Sequence, residues 1–326
     1  MPSADAPVVV LHGHRDSVSS VAWCPTAPVL ASSAFDGTIR LWRDDGKHLE
    51  TMQNNNLSGS SLSWSPDGEV LAASGHDGTI SLWRRARNSW TVLRGHAGAV
   101  SCVAWSPQGG IIASGSYDNT VRLWDTDRQS CTTIINLDAI VMGIAWSPDG
   151  SWLVMAATNG LVQTYGVTKE VITLNIGSPD APMLTGVAWS PRGNLIAFSS
   201  IDRLVHLLTV SGQVVGLLEG HTWWVVGVAW SPSGNILASH SSDGTIRLWR
   251  SQSTAEGVSA WATTKIFRVI RKKRQPRHPQ SPFTHHQSQP SGRSIECLAW
   301  SADGKMIASG CQDKAIRFWR MGDDQL

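Results

Sequence analysis

The sequence lacks the features that would direct it to a membrane, to secretion or to a polyanion. No segment approaches the roughly 20 apolar residues needed to cross a bilayer, and no basic cluster followed by an apolar run opens the chain. The formal net charge is only +2, from 27 Lys and Arg against 25 Asp and Glu, so no global nucleic-acid footprint is visible. We therefore expect a cytoplasmic protein without membrane insertion, or a nuclear one if the host has a nucleus.

Cysteine is also scarce, and its pattern excludes two common kinds of site. The chain has five cysteines, an odd number, and none of them form a Cys-x-x-Cys pair. We expect five free thiols in a reducing compartment, mostly buried by packing. No helix of any length is evident, and no Gly-rich phosphate-binding loop precedes one. The sequence therefore predicts no metal site and no cofactor.

Tryptophan, in contrast, is abundant and periodic. Twelve of the 17 tryptophans occupy two positions of a unit that recurs seven times, with most steps equal to 41 residues. The first position precedes a turn, at Trp23, Trp64, Trp105, Trp146, Trp189, Trp230 and Trp300. The second ends a later apolar run, at Trp42, Trp83, Trp124, Tyr165, Leu208, Trp249 and Trp319. The high tryptophan content is therefore architectural.

The third copy shows the local structure that each unit predicts. An apolar run from Val100 to Trp105 stops at a Ser-Pro turn, where proline removes an amide donor. Two further β-rich runs, 111–116 and 121–124, are separated by the turn at Asp118-Asn119, and a fourth covers 131–137. Each copy is therefore expected to form a four-stranded antiparallel meander.

This unit resembles the repeat of the WD40 (WD-repeat) family. The resemblance rests on Leu93-Arg94-Gly95-His96, Ala113-Ser114-Gly115-Ser116, Asp118 and Trp124-Asp125, and it covers nearly the whole chain. It implies an all-β fold, a single seven-bladed β-propeller over residues 1–326. The last copy ends without a fourth strand, and the chain begins with Val8-Val9-Val10-Leu11. We expect this N-terminal strand to complete the last blade; the alternative is a frayed terminus.

The resemblance also assigns structural roles to three complete copies. The family places a His, a strand Ser, the turn Asp and a Trp in one buried hydrogen-bond chain, which would satisfy a buried imidazole and a packed indole. The matching residues are His14, Asp36 and Trp42; His96, Asp118 and Trp124, with Ser114 or Ser116; and His221, Asp243 and Trp249. Because a catalytic site is built once, recurrence in three copies argues against catalysis by these residues.

Partner-binding residues are expected on the face that WD40 propellers usually use. That face carries the loop before each first strand and the turn between the second and third strands. The candidates are Phe35, His76, Tyr117, Met142, Met183, Trp223, Trp224 and Gln312. Aromatic side chains on a rim are typical of binding hot spots. The alternative is that some of them only cover the top of the propeller.

One basic segment interrupts the regular spacing between the sixth and seventh copies. Residues 271–293 hold six Lys and Arg and no acid, so 21 basic residues face 25 acidic ones in the rest of the chain. The segment has almost no apolar side chains, which predicts a disordered insertion. Three roles are possible for this segment: an insertion that the fold tolerates, a binding site for nucleic acid or another polyanion, or a nuclear import signal. The basic residues considered for binding are Arg271, Lys272, Lys273, Arg274 and Arg277.

The function predicted from these observations is a non-enzymatic scaffold, monomeric alone, that binds a protein or peptide on its loop-rich face. The alternative is nucleic-acid or polyanion binding through residues 271–293. An enzyme would need convergent carboxylates, a metal set or an activated nucleophile in the channel, and the sequence shows no such single-copy constellation.

Overall fold

Six of the seven tryptophan-anchored copies each form a four-stranded antiparallel sheet, and the seventh supplies three strands of one. The computed structural model describes residues 7–53, 59, 61–166, 170–174, 182–253, 259–269 and 294–322. In the third copy the strands run Val100–Trp105, Ile111–Ser116, Thr120–Asp125 and Ser130–Asn136. Neighbouring strands of the copy pair in sequence order. The predicted meander is confirmed, with bounds that match the sequence prediction within one residue.

The described residues form seven such sheets, or blades, from strands numbered β1 to β28 in chain order. Strand β1 is Val9–Leu11. Blades 1 to 3 contain β2 Val18–Trp23, β3 Val29–Ala34, β4 Thr38–Arg43 and β5 His48–Gln53; β6 Leu62–Trp64, β7 Val70–Ser74, β8 Thr79–Arg84 and β9 Ser89–Arg94; and the four strands given above as β10 to β13. Blades 4 and 5 contain β14 Val141–Trp146, β15 Trp152–Ala157, β16 Val162–Gly166 and β17 Val171–Leu174; and β18 Leu184–Trp189, β19 Leu195–Ser200, β20 Val205–Thr209 and β21 Val214–Leu218. Blade 6 contains β22 Val225–Trp230, β23 Leu237–Ser241, β24 Thr245–Ser253 and β25 Ser259–Arg268, and blade 7 contains β26 Ile295–Trp300, β27 Met306–Cys311 and β28 Ile316–Arg320.

The fourth strand of blade 7 comes from the other end of the chain. Strand β1 pairs antiparallel with β28, with Val9 opposite Phe318 and Leu11 opposite Ile316. The backbone N–H of Val8 adds a 2.8 Å hydrogen bond to the carbonyl of Phe318. Contacts between β2 and β26 bring blades 1 and 7 together, so the ring is closed. The predicted seven-bladed propeller, closed by its N-terminal strand, is confirmed.

The hydrophobic core is divided among the blade boundaries. Seven clusters of buried apolar residues occur, and each combines side chains from two adjacent blades. The second strands, such as β3 and β7, are buried along their whole length because blades cover both of their faces. Small side chains suit these positions, as in Ala31-Ser32-Ser33-Ala34, because they let adjacent blades approach closely. The outermost strands alternate between exposed and less exposed positions, as in β13.

The tryptophans of the first strands link neighbouring blades. The indole Nε1 atoms of Trp64, Trp146, Trp230 and Trp300 donate to backbone carbonyls of the preceding blade over 3.1 to 3.3 Å. Trp189 instead donates to the Gly193 carbonyl in its own turn, at 3.4 Å. The boundary between blades 4 and 5 therefore lacks the indole hydrogen bond that crosses four other boundaries. Among the described residues, the Nε1 atoms of Trp23 and Trp105 also have no hydrogen-bond partner, so the boundaries between blades 7 and 1 and between blades 2 and 3 lack it too.

The two ends of the blades form two different faces. We call the upper face the end that carries the turns between second and third strands and the segments before the first strands. The lower face carries the turns that follow the first and third strands. Apart from a 3-10 turn at Arg85–Arg87, the described part of the chain contains no helix. This part of the chain therefore has no helix long and apolar enough to cross a membrane.

Candidate functional site

Backbone hydrogen bonds fix the positions of the candidate binding residues on the upper face. In blades 1, 3, 5, 6 and 7, the residue before the turn aspartate donates its N–H to the carbonyl of the residue just before the first strand of the same blade. Examples are Tyr117 to Ala99 at 2.9 Å and Ser242 to Trp224 at 3.1 Å. The two groups of residues that the sequence assigns to this face therefore lie side by side at the ends of these blades.

Three aromatic side chains on this face are about half exposed. Phe35 is 49% exposed, Tyr117 51% and Trp224 45%, which leaves large apolar surfaces in contact with solvent. They belong to blades 1, 3 and 6, so they are spread around the upper face and do not form a single cluster. Such side chains can be buried by a partner with little change in the ring itself.

The other candidates differ in how far they reach solvent. His76 and Gln312 are exposed, whereas Met142, Met183 and Trp223 are partly buried. The ring centroids of Trp223 and Trp224 lie 6.1 Å apart with a 30° interplanar angle, so the two indoles contact each other in a tilted arrangement. The Nε1 atom of Trp223 is buried and has no hydrogen-bond partner among the described residues.

The three complete blades contain the same hydrogen-bond chain beneath this face. In blade 3, His96 Nδ1 lies 2.8 Å from Asp118 Oδ2, and His96 Nε2 lies 2.7 Å from Ser114 Oγ. Trp124 Nε1 donates to the same Ser114 Oγ over 2.8 Å. Corresponding contacts join His14, Asp36, Ser32 and Trp42, and also His221, Asp243, Ser239 and Trp249.

The donors and acceptors of this chain allow one consistent arrangement of protons. The indole N–H of Trp124 must donate, so Ser114 Oγ accepts that hydrogen bond and donates its own O–H to His96 Nε2. His96 Nδ1–H then donates to Asp118. Of the two serines that the sequence left open, Ser114 holds this place; Ser116 Oγ donates to the Gly98 carbonyl instead. Every polar group of the chain is thereby satisfied with a neutral imidazole.

Burial and hydrogen bonding shift the ionisation of these groups in a consistent direction. Burial lowers the pKa of His96, against the opposing effect of Asp118. Burial alone would raise the pKa of Asp118, but hydrogen bonds from the Thr120 hydroxyl, the Ala97 amide and His96 outweigh it and hold that pKa well below its usual range. At neutral pH, His96 is therefore neutral and Asp118 is ionised, so the hydrogen bond between them keeps the same protonation state.

In blades 5 and 7, which lack the Gly-His pair, a different basic side chain pairs with the turn aspartate. The sequence analysis did not predict these pairs. In blade 5, His206 Nε2 lies 2.7 Å from Asp202 Oδ2. In blade 7, Arg317 donates to both oxygens of Asp313 over 3.0 and 2.6 Å. Each partner follows its aspartate by four residues, on the third strand. The available signal was a basic residue at this position in a copy that lacks the Gly-His pair.

Blade 2 shows a third arrangement. Asp77 is exposed and accepts hydrogen bonds from the backbone and hydroxyl of Thr79. Trp83 Nε1 donates to Asn88 Oδ1 at 2.9 Å, because no serine acceptor stands opposite it as in the complete blades.

Other residues considered for function occupy simpler positions. All five cysteines are free thiols; Cys24, Cys297 and Cys311 are buried, whereas Cys102 and Cys131 are partly exposed. Within the described ranges, no group of three or more His, Cys, Asp or Glu is arranged to hold a metal ion. The basic segment 271–293, with Arg271, Lys272, Lys273, Arg274 and Arg277, lies outside the described residues.

Comparisons with known proteins agree with this geometry. Segments of the chain are 43% identical to the "Probable cytosolic iron-sulfur protein assembly protein 1" of Neurospora crassa and 44% identical to the "Denticleless protein homolog" of Danio rerio. The first match covers 12% of this chain and 12% of that relative, and the second covers 16% and 8%. The chain therefore spans only a small part of the length of these two relatives.

A family model for the "WD domain, G-beta repeat" matches six segments, at residues 5–43, 49–84, 87–125, 130–165, 212–250 and 278–320. The unmatched stretch 166–211 contains most of blade 5, which still forms four strands. Together, the matched segments cover more than half of the chain, and their spacing follows the blades. The chain therefore belongs to the WD40 family.

Proposed function

We propose that this protein is a non-enzymatic interaction scaffold that binds a protein or peptide on its upper face. WD40 propellers are typically protein-interaction scaffolds, which is the coarse function that the family supports. The observation that carries the finer proposal is Trp224, which is 45% exposed, stacked on Trp223 and joined through its carbonyl to Ser242. A large aromatic side chain on a fixed support is the typical anchor of a protein interface.

The rigidity of the ring favours this mode of binding. Phe35 and Tyr117 sit on turns whose backbone is hydrogen-bonded to Ser17 and Ala99 of the same blade. Little conformational entropy is therefore lost when a partner docks, and aromatic burial contributes directly to affinity. The hydrogen-bond chain of His96 and Asp118 holds the turn beneath Tyr117 and serves structure, in this proposal, rather than catalysis.

Pull-down from the host lysate tests the proposal. The intact protein is compared with a Tyr117→Ala/Trp224→Ala variant and with a deletion of 271–293, at low and high salt. Proteins lost only with the aromatic double variant would support the upper face as the binding surface. Thr158→Ala, at the position of Tyr117 in blade 4, is the matched control and should retain those proteins.

Loss of partners only with the deletion, and weakening of the intact complex at high salt, would contradict the proposal. It would instead favour binding of nucleic acid or another polyanion through the basic segment, since such complexes weaken steeply with ionic strength. We also infer that the protein acts in the cytoplasm, as the name of the Neurospora crassa relative says of that protein. Fractionation of host cells, followed by immunoblotting, checks this location.

A further inference from the structure

Hydrogen bonds cross six of the seven blade boundaries, and the boundary between blades 4 and 5 is the exception. The indole bonds of the first-strand tryptophans cross four of the six. Between blades 2 and 3, the backbone N–H of Val100 donates to the Gly75 carbonyl at 3.0 Å. Between blades 7 and 1, Lys314 Nζ donates to the Arg15 carbonyl at 2.6 Å. Among the residues that the structure describes, no hydrogen bond or ion pair joins blade 4 to blade 5.

A recurring acceptor at the start of each first strand explains part of this difference. In blade 4 it is the carbonyl of Val141, which accepts a 2.6 Å hydrogen bond from Ser101 Oγ of blade 3. Three further boundaries use the same acceptor position: Thr185 Oγ1 donates to Val225 at 2.6 Å, His240 Nδ1 to Ile295 at 2.9 Å and Cys297 Sγ to Val18 at 3.8 Å. A side chain of the preceding blade therefore holds the first strand of the next blade at four boundaries.

Blade 4 lacks this donor. Met142 stands at the position of the two hydroxyl donors, and its thioether has no hydrogen to donate. The next residue, Gly143, leaves room only for the backbone of blade 5, because a Cβ there would lie 3.0 Å from the Val187 nitrogen. The carbonyl of Leu184, which is the corresponding acceptor in blade 5, therefore receives no hydrogen bond from a described side chain of blade 4.

The turns that follow the first strands show the same difference at the lower face. Gln108 Nε2 of blade 3 donates to the Asp149 carbonyl of blade 4 at 2.6 Å, and Arg192 Nε of blade 5 donates to the Ser233 carbonyl of blade 6 at 3.3 Å. Blade 4 has Asp149 at this position, and its carboxylate accepts from hydroxyl groups of its own turn. An ionised carboxylate has no hydrogen to offer to a carbonyl of the next blade.

Lower-face cavities lie at both boundaries of blade 5. The cavity between blades 4 and 5 measures about 510 Å³, and the one between blades 5 and 6 about 520 Å³. The hydrogen bond from Arg192 to Ser233 crosses the second boundary, whereas no hydrogen bond between described residues crosses the first. Boundaries with similar gaps therefore differ in the bonds that hold the lower ends of their blades together.

Within the described ranges, blade 4 is held against blade 5 by apolar packing. All side chains of the cluster at this boundary are buried; they are Val154, Ala156, Val162 and Leu174 of blade 4 and Leu184, Ile196, Phe198 and Leu208 of blade 5. Apolar contacts have no preferred direction, so they resist a tilt of one blade against the other less than hydrogen bonds do. The chain joins these blades at the upper face, between Leu174 and Leu184, so their lower ends can separate without unfolding either sheet.

We propose that the ring opens locally between blades 4 and 5, with the lower ends of the two blades moving apart. This boundary opens more readily than the boundary between blades 7 and 1, where the chain ends meet, because Cys297 and Lys314 donate hydrogen bonds across the latter. Two residues of blade 4, Met142 and Asp149, place the opening here because neither can donate to blade 5. This inference goes beyond the proposed binding on the upper face and does not depend on it.

Thiol labelling of the folded protein tests the proposal. Val154→Cys places a thiol between blades 4 and 5, and Ala197→Cys places one at the same strand position between blades 5 and 6. Both residues are 0% exposed, so each thiol reacts with a maleimide only when its boundary opens or the whole protein unfolds. Native Cys297 and Cys311 report the boundaries on either side of blade 7 in the same molecule. Burial raises the pKa of both native thiols, which keeps them unreactive while the ring is closed.

We expect the thiol of Val154→Cys to be labelled at least tenfold faster than that of Ala197→Cys, and faster than Cys297 and Cys311. Mass spectrometry of proteolytic peptides measures the rate at each site. Global unfolding exposes all sites together and gives a common background rate, so the excess at one site reports local opening.

The neighbouring blades supply matched variants for the missing donor. Adding Met142→Thr to Val154→Cys restores a hydroxyl opposite Leu184 and should slow labelling about fivefold. Adding Thr185→Met to Ala197→Cys removes the donor to Val225 and should speed labelling by a similar factor. Val226→Thr, at the same position in blade 6, is the control and should leave the labelling of Val154→Cys unchanged.

Three outcomes would overturn the proposal. Equal labelling of Val154→Cys and Ala197→Cys would show that blades 4 and 5 separate no more readily than their neighbours. Faster labelling of Cys297 would place the opening where the chain ends meet. An unchanged rate with Met142→Thr would remove the missing donor as its cause, and this variant retains the test if Thr185→Met does not fold. No partner is present in the assay, so failure of the upper-face pull-down leaves the result unaffected.

Discussion

Arg317 and Asp313 form a bidentate ion pair in blade 7, in which Nη1 and Nη2 donate to the two carboxylate oxygens over 3.0 and 2.6 Å. In blade 3 the same position on the third strand is Arg122, whose guanidinium lies against Gly95; a Cβ on that glycine would come within 2.7 Å of Arg122 Nη1. The histidine or arginine that pairs with the turn aspartate therefore comes from the loop before the first strand in complete blades and from the third strand in blade 7.

Arg317→Met should lower the free energy of unfolding by about 3 kcal/mol, because a buried carboxylate loses its charge partner. The side chains of Arg317 and Asp313 are only 10% and 7% exposed. Urea denaturation measures the change. Arg320→Met, at the exposed end of the same strand, is the control and should change stability by less than about 0.5 kcal/mol. Equal losses in the two variants would contradict a specific role for the ion pair.

His96→Ala should lower the melting temperature by roughly 5 °C, since Ser114 and Asp118 each lose a buried hydrogen-bond partner. Binding of the upper-face partner should persist at temperatures where the variant is folded. His12→Ala, at an exposed position, serves as the control. If His96→Ala retained the stability of the unaltered protein, the structural role proposed for the chain of His96 and Asp118 would be wrong.

Acid should destabilise the protein partly through His240, because burial lowers the pKa of this residue to about 4. The pKa of a histidine in the unfolded chain is about 6.5. Between pH 4 and pH 6.5 the unfolded state therefore binds a proton at His240 that the folded state does not bind. Stability should therefore fall as the pH drops from about 6.5 to about 4, by up to about 3 kcal/mol from this residue. Urea denaturation across this pH range measures the slope.

His240→Ser is the matched variant, because Ser33 occupies this position in blade 1. It removes the hydrogen bond between His240 Nδ1 and the Ile295 carbonyl, so it lowers stability at neutral pH as well. The test is the slope: it should become shallower in the variant, while the contribution of His14 and His96, whose pKa values burial also lowers, remains. An unchanged slope would exclude His240 as a source of the acid sensitivity.

Arg203→Gly should stabilise the protein by about 0.5–1 kcal/mol, because Arg203 has a φ of 76° in the left-handed region. Glycine fills the same turn position in blades 1, 2, 4 and 6, with φ between 74° and 79°. Asn119→Gly, at this position in blade 3, should have a smaller effect since asparagine tolerates this conformation. Thermal melting compares the two; a lower melting temperature for Arg203→Gly would show that its side chain compensates for the strain.

The architecture could be predicted because the sequence repeats with a regular spacing. Trp105 and Trp124 recur at fixed spacing, and the turn residues between them fix the direction of each strand. Even the closure by Val9–Leu11 followed from a count of strands in the last copy. The positions of Tyr117 and Trp224 on the upper face also follow from the repeat, whereas their exposure depends on how much the neighbouring turns cover them.

Some side chains have two possible hydrogen-bond partners, and the sequence of one copy does not indicate which partner is used. Blade 5 has the same Ala-Trp-Ser-Pro sequence as blades 4 and 6, so nothing local indicates that Trp189 bonds its own turn. Arg122 and Arg317 are likewise the same residue type at the same position. Their different contacts follow from the presence or absence of a histidine more than 20 residues earlier in the sequence.

The pairing of Val9 with Phe318 also constrains the order of events during synthesis. Strand β1 is synthesised before all the other strands of the ring, but β28, the strand that it must join, is synthesised after them. Until then its apolar residues have no native partner, and the outer edge of blade 7 does not yet exist. Closure of the ring therefore follows the synthesis of β28, and factors that shield a short apolar strand can act on β1 throughout the synthesis of the intervening blades.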